Sequence, residues 1–486
     1  MTFARVTMDA LGAVCALFEA AVHDMQARGL MQWTWGKYPR EDILREDIER
    51  GQLWRVDTAE GLVAVFALVR GQGEEYADIP WRYGVDPACL HRVALQPEKS
   101  GRGVGKAIVA FAMDEARRMG CDCFRVDTYG QNARARKLFS DTTEREAGTF
   151  RFPRFEDDFH CFESPLTDDC PLLPFRMHPA YRHGDMTPWG GERLKTLYGK
   201  DIPDSRTGEA LEISCIDGLA SVDDAGETLP ALIARHGARL TGAGHEHPFP
   251  LLLKLLDAKS SLSVQVHPND AYAMAHEGKL GKTEAWVILH AEAGAELCYG
   301  LKDGVTLTML RAALIGGQDV APMIAAVQVA AGDVLYMPSG MVHAIGGGIT
   351  LYEIQQSSDV TYRLWDFNRT NEQGEKRELH VEKSLDVIDP TLAGLRATLP
   401  DAAAVGVHTV LDVAAFTLRC ACVQGELALA ANRESFTMFT ALEELVIAWP
   451  NGQLKVKAGG SALIPAAAPQ VTLKGMGRAL LASAGA

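Results

Sequence analysis

Four residues between positions 265 and 343 carry donor atoms of the kind a zinc-type metal ion accepts. Gln265 and His267 stand two apart in Val264-Gln265-Val266-His267-Pro268, so on a strand they share a face. Glu284 follows in Gly281-Lys282-Thr283-Glu284-Ala285-Trp286, and His343 follows a Pro/Gly turn in Pro338-Ser339-Gly340-Met341-Val342-His343. One amide oxygen, two imidazoles and one carboxylate suit Zn²⁺, which takes nitrogen and oxygen ligands. With a single anionic ligand the ion keeps net positive charge, so the chemistry expected is Lewis acidity toward a substrate oxygen. Taken singly, either His is equally at home as a hydrogen-bonded structural residue. His245 and His247 are also two apart, but in a loop without a clear third ligand, and a surface role is expected for them.

A second chemical feature is the glycine turn Gly101-Arg102-Gly103-Val104-Gly105-Lys106, which follows a strand pattern and opens a helical one. Glycines allow a tight turn, and the free N–H groups of a helix start point at an anion, for which a pyrophosphate is the natural occupant. Lys106 is followed by Ala107, so the phosphate-loop ending is absent, and the alternating glycines do not make a dinucleotide fingerprint.

The elements that must position these residues differ in texture. Up to about residue 165, helical patterns (Leu11 to Met25, Gly103 to Met119, Ala133 to Phe139) alternate with strand patterns (Glu60 to Val69, His91 to Leu95, Cys123 to Thr128). That alternation predicts an α/β unit. Ser164 to Pro174, rich in Pro and Asp, reads as a linker. Beyond it short strands dominate, apart from helices expected near 228–240, 270–278 and 306–328. From 405 to 485 the strand-like runs broken by Gly, Asn and Pro predict a closed or sandwiched antiparallel architecture.

The run His91 to Pro97, the glycine turn, Arg125-Val126-Asp127-Thr128 and Asn132-Ala133-Arg134-Ala135 resemble the Gcn5-related N-acetyltransferase family. The resemblance covers roughly 1–165. It implies acetyl-CoA bound at Leu95 and on the amides of Gly101, Arg102, Gly103, Val104, Gly105 and Lys106, with Asn132 near the pantetheine arm or the splayed strands. Two departures are Ser100, where the family carries Gln or Arg, and Phe139, where many members carry Tyr. Transfer to an amine needs a base, for which Glu74, Glu75 and Tyr129 are candidates, and Trp33, Trp35 and Trp81 could shape an acceptor pocket or belong to the core.

The segments around Gln265 and His267, around Glu284 and around His343, together with Tyr352-Glu353-Ile354-Gln355-Gln356-Ser357-Ser358-Asp359, closely resemble type I mannose-6-phosphate isomerases of the short bacterial branch. Trp189-Gly190-Gly191 and Gly208 to Ser214 extend the resemblance to about 171–486. It implies a zinc-binding cupin barrel, a second C-terminal β-barrel, and Gln265, His267, Glu284 and His343 as ligands. Mannose 6-phosphate and fructose 6-phosphate would interconvert through a cis-enediol. By motif position Arg363 matches an essential Arg, Lys282 a substrate-contacting Lys, and Asp359 stands beside them. The proton carrier stays open among Arg363, Asp359, Glu353, a His and a metal-bound water.

The expected architecture is therefore multidomain: an α/β acetyltransferase-like fold (1–165), a linker (166–174), a catalytic cupin with helical insertions (175–400) and a cupin-like β-barrel (401–486). The expected partners are a sugar phosphate, acetyl-CoA and an unidentified amine. A sugar-sensing cupin joined to a scaffold or CoA-sensing domain is the competing reading.

Composition sets the outer bounds. The 486 residues amount to about three domains of roughly 150 residues. Hydrophobic residues make up 47% and charged residues 23%, a globular balance rather than a disordered one. The net charge of −15 opposes nucleic acid and anionic membranes, so any phosphate must meet a local basic site. The ten Cys include no CxxC pair, and Cys121/Cys123 and Cys420/Cys422 are expected to be core thiols. The start Met-Thr-Phe-Ala-Arg lacks a signal-peptide pattern and no apolar run reaches the roughly 20 residues of a span, so a cytoplasmic protein is expected.

Overall fold

A strand that is apolar on both faces must be covered on both, and the N-terminal part is built around one. In Gly61–Arg70 every residue from Val63 to Leu68 is buried. Leu11–Ala27 and Glu41–Glu49 pack over Val65, Ala67 and Ala94, while Val104–Arg118 and Ala133–Thr142 cover Phe66, Phe124, Val126 and Phe162. The computed structural model describes residues 1–99, 101–153, 155–367, 369–370 and 374–485; Ser100 lies outside them. The chain divides into two compact units, Met1–Leu173 with Trp449–Gln453, and Pro174–Ala448 with Leu454–Ala486.

The sheet of the first unit runs in the order Thr2–Arg5, Leu53–Thr58, Gly61–Arg70, Pro87–Leu95, Cys123–Tyr129, Phe159–Pro165, Arg145–Phe150. One pair is parallel, Pro87–Leu95 with Cys123–Tyr129, and its pairing ends at Leu90 opposite Val126. Past that point Arg92 takes a left-handed conformation (φ +52°), and the register with Gly61–Arg70 slips between Val65 and Ala67. The bulge turns the end of the strand away from its parallel neighbour.

In the second unit two antiparallel sheets form a sandwich. A seven-stranded sheet runs Leu395–Thr398, Asp333–Met337, Glu284–Ala291, Ile349–Gln356, Leu251–Ala258, Glu209–Ile213, Ala180–Arg182. Facing it, a five-stranded sheet runs Ile324–Gln328, Glu296–Leu301, His343–Ile345, Val264–Val266, Tyr362–Trp365. Trp286, Leu335 and Leu351 from the first meet Leu297 and Ile345 from the second in one core. The outer side of the smaller sheet is closed by Leu307–Ile315 and Val381–Val387, whose apolar residues join Val264, Val266 and Leu364. A third antiparallel sheet takes in Gly406–Val413, Phe416–Ala428, Thr472–Ala484, Thr437–Ala441, Ser461–Ile464 and, from far back in the sequence, Phe175–Met177.

The helix expected over 306–328 is shorter than its composition suggests. It ends at Ile315 because Gly316-Gly317 follows, with Gly317 at φ +65°, and Ile324–Gln328 is a strand against Glu296–Leu301. Cys121, Cys123, Cys420 and Cys422 are free and buried, as small apolar side chains. Among the described residues no helix is long and apolar enough to cross a membrane. Leu351 lies fully buried at the centre of the sandwich, so Leu351→Ala should lower stability by about 2–5 kcal/mol in chemical denaturation. An unchanged midpoint would contradict the packing.

Candidate metal centre and acetyl-transfer cleft

Strand alternation aims the polar residues of the sandwich inward. Val264 and Val266 are committed to the helices outside, so Gln265 between them faces the opposite sheet. Gln265 is directly opposite His343 on one side and Arg363 on the other. Residues paired across antiparallel strands share a face, so His343, Gln265 and Arg363 form one rung across three strands. Glu284, first residue of its own strand, approaches from the facing sheet.

The rung and Glu284 meet in a dry cup. His343 Nε2 lies 3.2 Å from Glu284 Oε1, and His267 Nε2 lies 3.6 Å from Oε2. One ligand atom from each of these three residues falls within 4.8 Å of the others. The outward ring nitrogens are fixed, His267 Nδ1 against the Val360 carbonyl at 3.0 Å and His343 Nδ1 against the Met341 carbonyl at 2.9 Å. With Nδ1–H donating outward, each Nε2 lone pair points into the cup. Gln265 completes the rim, its amide 3.3 Å from His343 Nε2; a turn of the amide presents Oε1 instead.

Electrostatics suit a cation there. Both Glu284 oxygens are buried and face Lys282 and the two imidazoles. Burial raises the Glu284 pKa, but Lys282 and the imidazoles outweigh it and hold the carboxyl well below its ordinary value. Burial and Lys282 together hold His267 well below its ordinary value, so it is neutral. A positive charge already reaches this donor set: Lys282 Nζ is 2.8 Å from Glu284 Oε2 and 3.1 Å from His267 Nε2. Nitrogen and oxygen donors that hold an ammonium in a water-excluded cup also fit a divalent ion of the zinc type.

Behind the cup lies a row of charges in which Glu353, one of the proton-carrier candidates, meets Lys254, Glu209 and Arg182, which the sequence did not single out. Lys254 is 3.2 Å from Glu353 and 3.5 Å from Glu209, Arg182 is 3.1 Å from Glu209, and Trp286 Nε1 donates to Glu353 at 2.9 Å. Lys254 is flanked by two leucines on each side in Leu251–Ala258, a strand whose other charge is Asp257, and a lysine in that apolar setting was the available signal. Arg363 is half-buried, with Nε donating to Ser263 Oγ at 3.3 Å and Nη1 to the Glu378 carbonyl at 2.8 Å. Burial and the nearby Arg377 depress its pKa, a strain that an incoming anion would relieve. Asp359 is placed differently: it pairs with Lys279 at 2.6 Å and borders a cavity of about 620 Å³ together with Ser357 and Ser358. His247 is exposed and His245 packs against Phe436, neither beside the cup.

In the first unit, Val104–Arg118 begins at Gly103, in left-handed conformation at φ +81°, and among the described residues no side chain caps its first amides. Those N–H groups are free to receive an anion. Gly101 has φ +80°, Arg102 and Lys106 are exposed, and a Cβ on Gly105 would come within 2.8 Å of Leu138. Leu95 closes its strand before the turn. Asn132 caps Ala133–Thr142 by accepting from the Ala135 N–H at 3.2 Å. Where the parallel pairing stops, a cavity of about 410 Å³ opens, bordered by Asn132, Phe139, Trp33, Glu75 and Tyr129. Glu74 is exposed, and Trp81 is buried under the Arg125 guanidinium at 4.4 Å. Asp127, Tyr76 and His91 border the same cavity and were not among the candidates.

Comparison with known proteins agrees with this division. Residues 19–141 match the acetyltransferase (GNAT) family, and residues 175–293 match the type I phosphomannose isomerase catalytic domain. A mannose-6-phosphate isomerase of Streptococcus mutans is 47% identical over 204 residues, 41% of this chain and 64% of that protein. The chain spans the same 64% of the length of the first three curated relatives it matches. A putative mannose-6-phosphate isomerase of Bacillus subtilis is 32% identical over 295 residues, 59% of this chain and 92% of the relative. The crystal structure of the mannose 6-phosphate isomerase from B. subtilis aligns with a TM-score of 0.58 at 29% identity, covering 64% of this chain and 99% of that one. A mannose 6-phosphate isomerase solved with zinc and yttrium aligns with a TM-score of 0.51 at 16% identity, covering 64% and 100%, a likeness of fold. Because 92% of the second relative is matched at this identity, the chain belongs to the type I mannose-6-phosphate isomerase family, and it carries a GNAT acetyltransferase domain ahead of that region.

Proposed function

We propose that the second unit interconverts mannose 6-phosphate and fructose 6-phosphate, and that the first transfers an acetyl group from acetyl-CoA to an amine. The observation that carries the isomerase reading is the rung His343–Gln265–Arg363 meeting Glu284 and His267 across the sandwich. Gln265, His267, Glu284 and His343 would hold Zn²⁺, which supplies positive charge and Lewis acidity at the sugar's O1/O2 edge. The relative solved with zinc and the nitrogen and oxygen donors present here support that choice of ion.

The chain's own residues do the rest. Moving a proton between C2 and C1 through a cis-enediol needs a fixed sugar and an excluded solvent, because an enediolate open to water exchanges its proton unselectively and can expel the C3 hydroxyl. The cup is water-excluded, with His267, Glu284 and His343 nearly inaccessible. Arg363 is the cation proposed for the phosphate, since its register places it beside Gln265 on the rung and Arg377 and Arg369 lie in its field. Lys282 orients Glu284 and His267 and is placed to donate to a sugar hydroxyl. Asp359 pairs with Lys279 on a cavity that none of the proposed zinc ligands borders, so it is given no role at the metal.

Full-length protein should isomerise mannose 6-phosphate, lose turnover on chelation and regain it with Zn²⁺; activity indifferent to chelation would remove the metal from the mechanism. Arg363→Ala should lower kcat/KM by about 100-fold or more while zinc content, read by atomic absorption, stays the same. Equal sugar-phosphate binding with unchanged turnover in that variant would refute the role. Glu284→Gln should instead lose the metal.

For the first unit, the uncapped helix start after Gly103 supports a pyrophosphate on the amides of residues 101–106. Gly103→Glu combines a disfavoured left-handed conformation with a negative charge at that start, and should abolish acetyl-CoA binding in calorimetry. No binding by the unaltered protein would favour a scaffold role.

A further inference from the structure

The cavity of the first unit contains a titratable cluster with a definite geometry. Phe124 and Val126 point into the core beneath Val104–Arg118, which leaves Asp127 on the opposite face of its strand. There Tyr76 donates its hydroxyl to Asp127 Oδ1 at 3.1 Å, and His91 Nδ1 lies 3.9 Å from the same oxygen. The Asp127 side chain keeps 15% of its exposure, and it borders the cavity. Its carboxylate is thus anchored on one side and reachable on the other.

The charge of the cavity follows from its pairs. Arg92 is neutralised by Asp47, with Nε and Nη2 each donating to a carboxylate oxygen at 2.8 Å. Among the described residues, Asp127 and Glu75 therefore leave a negative balance, and Trp33, Tyr38, Phe152 and Phe155 supply an aromatic wall. That combination draws in an ammonium group on an apolar or aromatic body.

We propose that Asp127 is the general base of the acetyl-transfer unit, taking a proton from the ammonium of a small aromatic or apolar primary amine seated in this cavity, with Tyr76 and His91 as positioning residues. The inference rests on the acetyltransferase reading given above. The ammonium passes one proton to Asp127, and the freed lone pair forms the N–C bond to the acetyl carbon. The C–S bond breaks with its electrons leaving on the CoA sulfur. A second N–H proton neutralises that thiolate, and Asp127 returns its own proton to solvent.

Burial raises Asp127 to about 6, against the lowering effect of the Tyr76 hydrogen bond. Burial and the neighbouring Arg92 bring His91 down to about 4, so it stays neutral. The other groups facing Asp127 are Glu75 beside Tyr76, Cys89 on the strand of His91, Arg125 on its own strand and Cys161 on the antiparallel neighbour. Cys89 is pushed up to about 12 and Cys161 is raised further, both by burial, so neither ionises near pH 6. The base is active when deprotonated, so the rate should rise with pH through about 6 and then level.

The test uses the full chain, acetyl-CoA, and phenethylamine or tryptamine as acceptor, with CoA thiol release as readout. Failure of acetyl-CoA to bind in calorimetry would sink the underlying reading. Binding without thiol release from either amine would overturn this inference alone. Asp127→Asn should lower kcat by about 100-fold or more, remove the acidic limb and leave acetyl-CoA affinity unchanged. Retained kcat with an intact limb would overturn the assignment. Tyr76→Phe, which deletes only the hydroxyl, should move the limb to higher pH at unchanged acetyl-CoA affinity; an unmoved limb would remove Tyr76 from the positioning role.

Discussion

Everything in the sandwich depends on keeping Lys282, Glu284, His267 and His343 dry together. A lone carboxylate in such a place would take up a proton, and a lone ammonium would lose one. Here each holds the other charged, with Lys282 raised by Glu284 and Glu353 against burial, and Glu284 lowered by Lys282. Such an arrangement contributes little net stability, because desolvation cancels most of the attraction. Its value is positional. The apolar core of Trp286, Leu335, Leu351 and Ile345 on the same inner faces bears the folding free energy and fixes the strands that carry the ions.

Under the proposed functions the two units would meet a common electrostatic problem by different means. A chain of net charge −15 has no general attraction for phosphates. The first unit offers backbone N–H groups at an uncapped helix start, which need no cationic side chain. The second offers guanidinium groups whose neighbours leave them under-compensated, Arg363 beside Arg377 and Arg369. Both devices are local, so the acidic surface elsewhere can serve solubility without competing.

Much of this was legible because it is written in short-range pattern. Period-two spacing put Gln265 and His267 on one face, and glycines followed by a helical pattern marked the turn after Leu95. What stayed hidden has two physical causes. Lys254, Glu353 and Glu209 come from strands that are neighbours in the sheet but far apart in sequence, so their pairing exists only once the register is set. Asp127 entered the sequence reading only within the run Arg125-Val126-Asp127-Thr128, and its environment depends on a bulge at Arg92 that no local composition announces. The overlong helix at 306–328 had a simpler origin, two glycines whose stopping power was outweighed by apolar residues on either side.

The rung His343–Gln265–Arg363 rests on two strands of three residues and one of four, each joined to the next by few pairs. A slip of Val264–Val266 by one residue would turn Gln265 toward the helices and drive a valine into the cup. No partial site lies between the two registers. The proposed isomerase turnover would therefore be a digital report on sheet assembly, and its recovery during refolding would count correctly threaded molecules rather than average compactness.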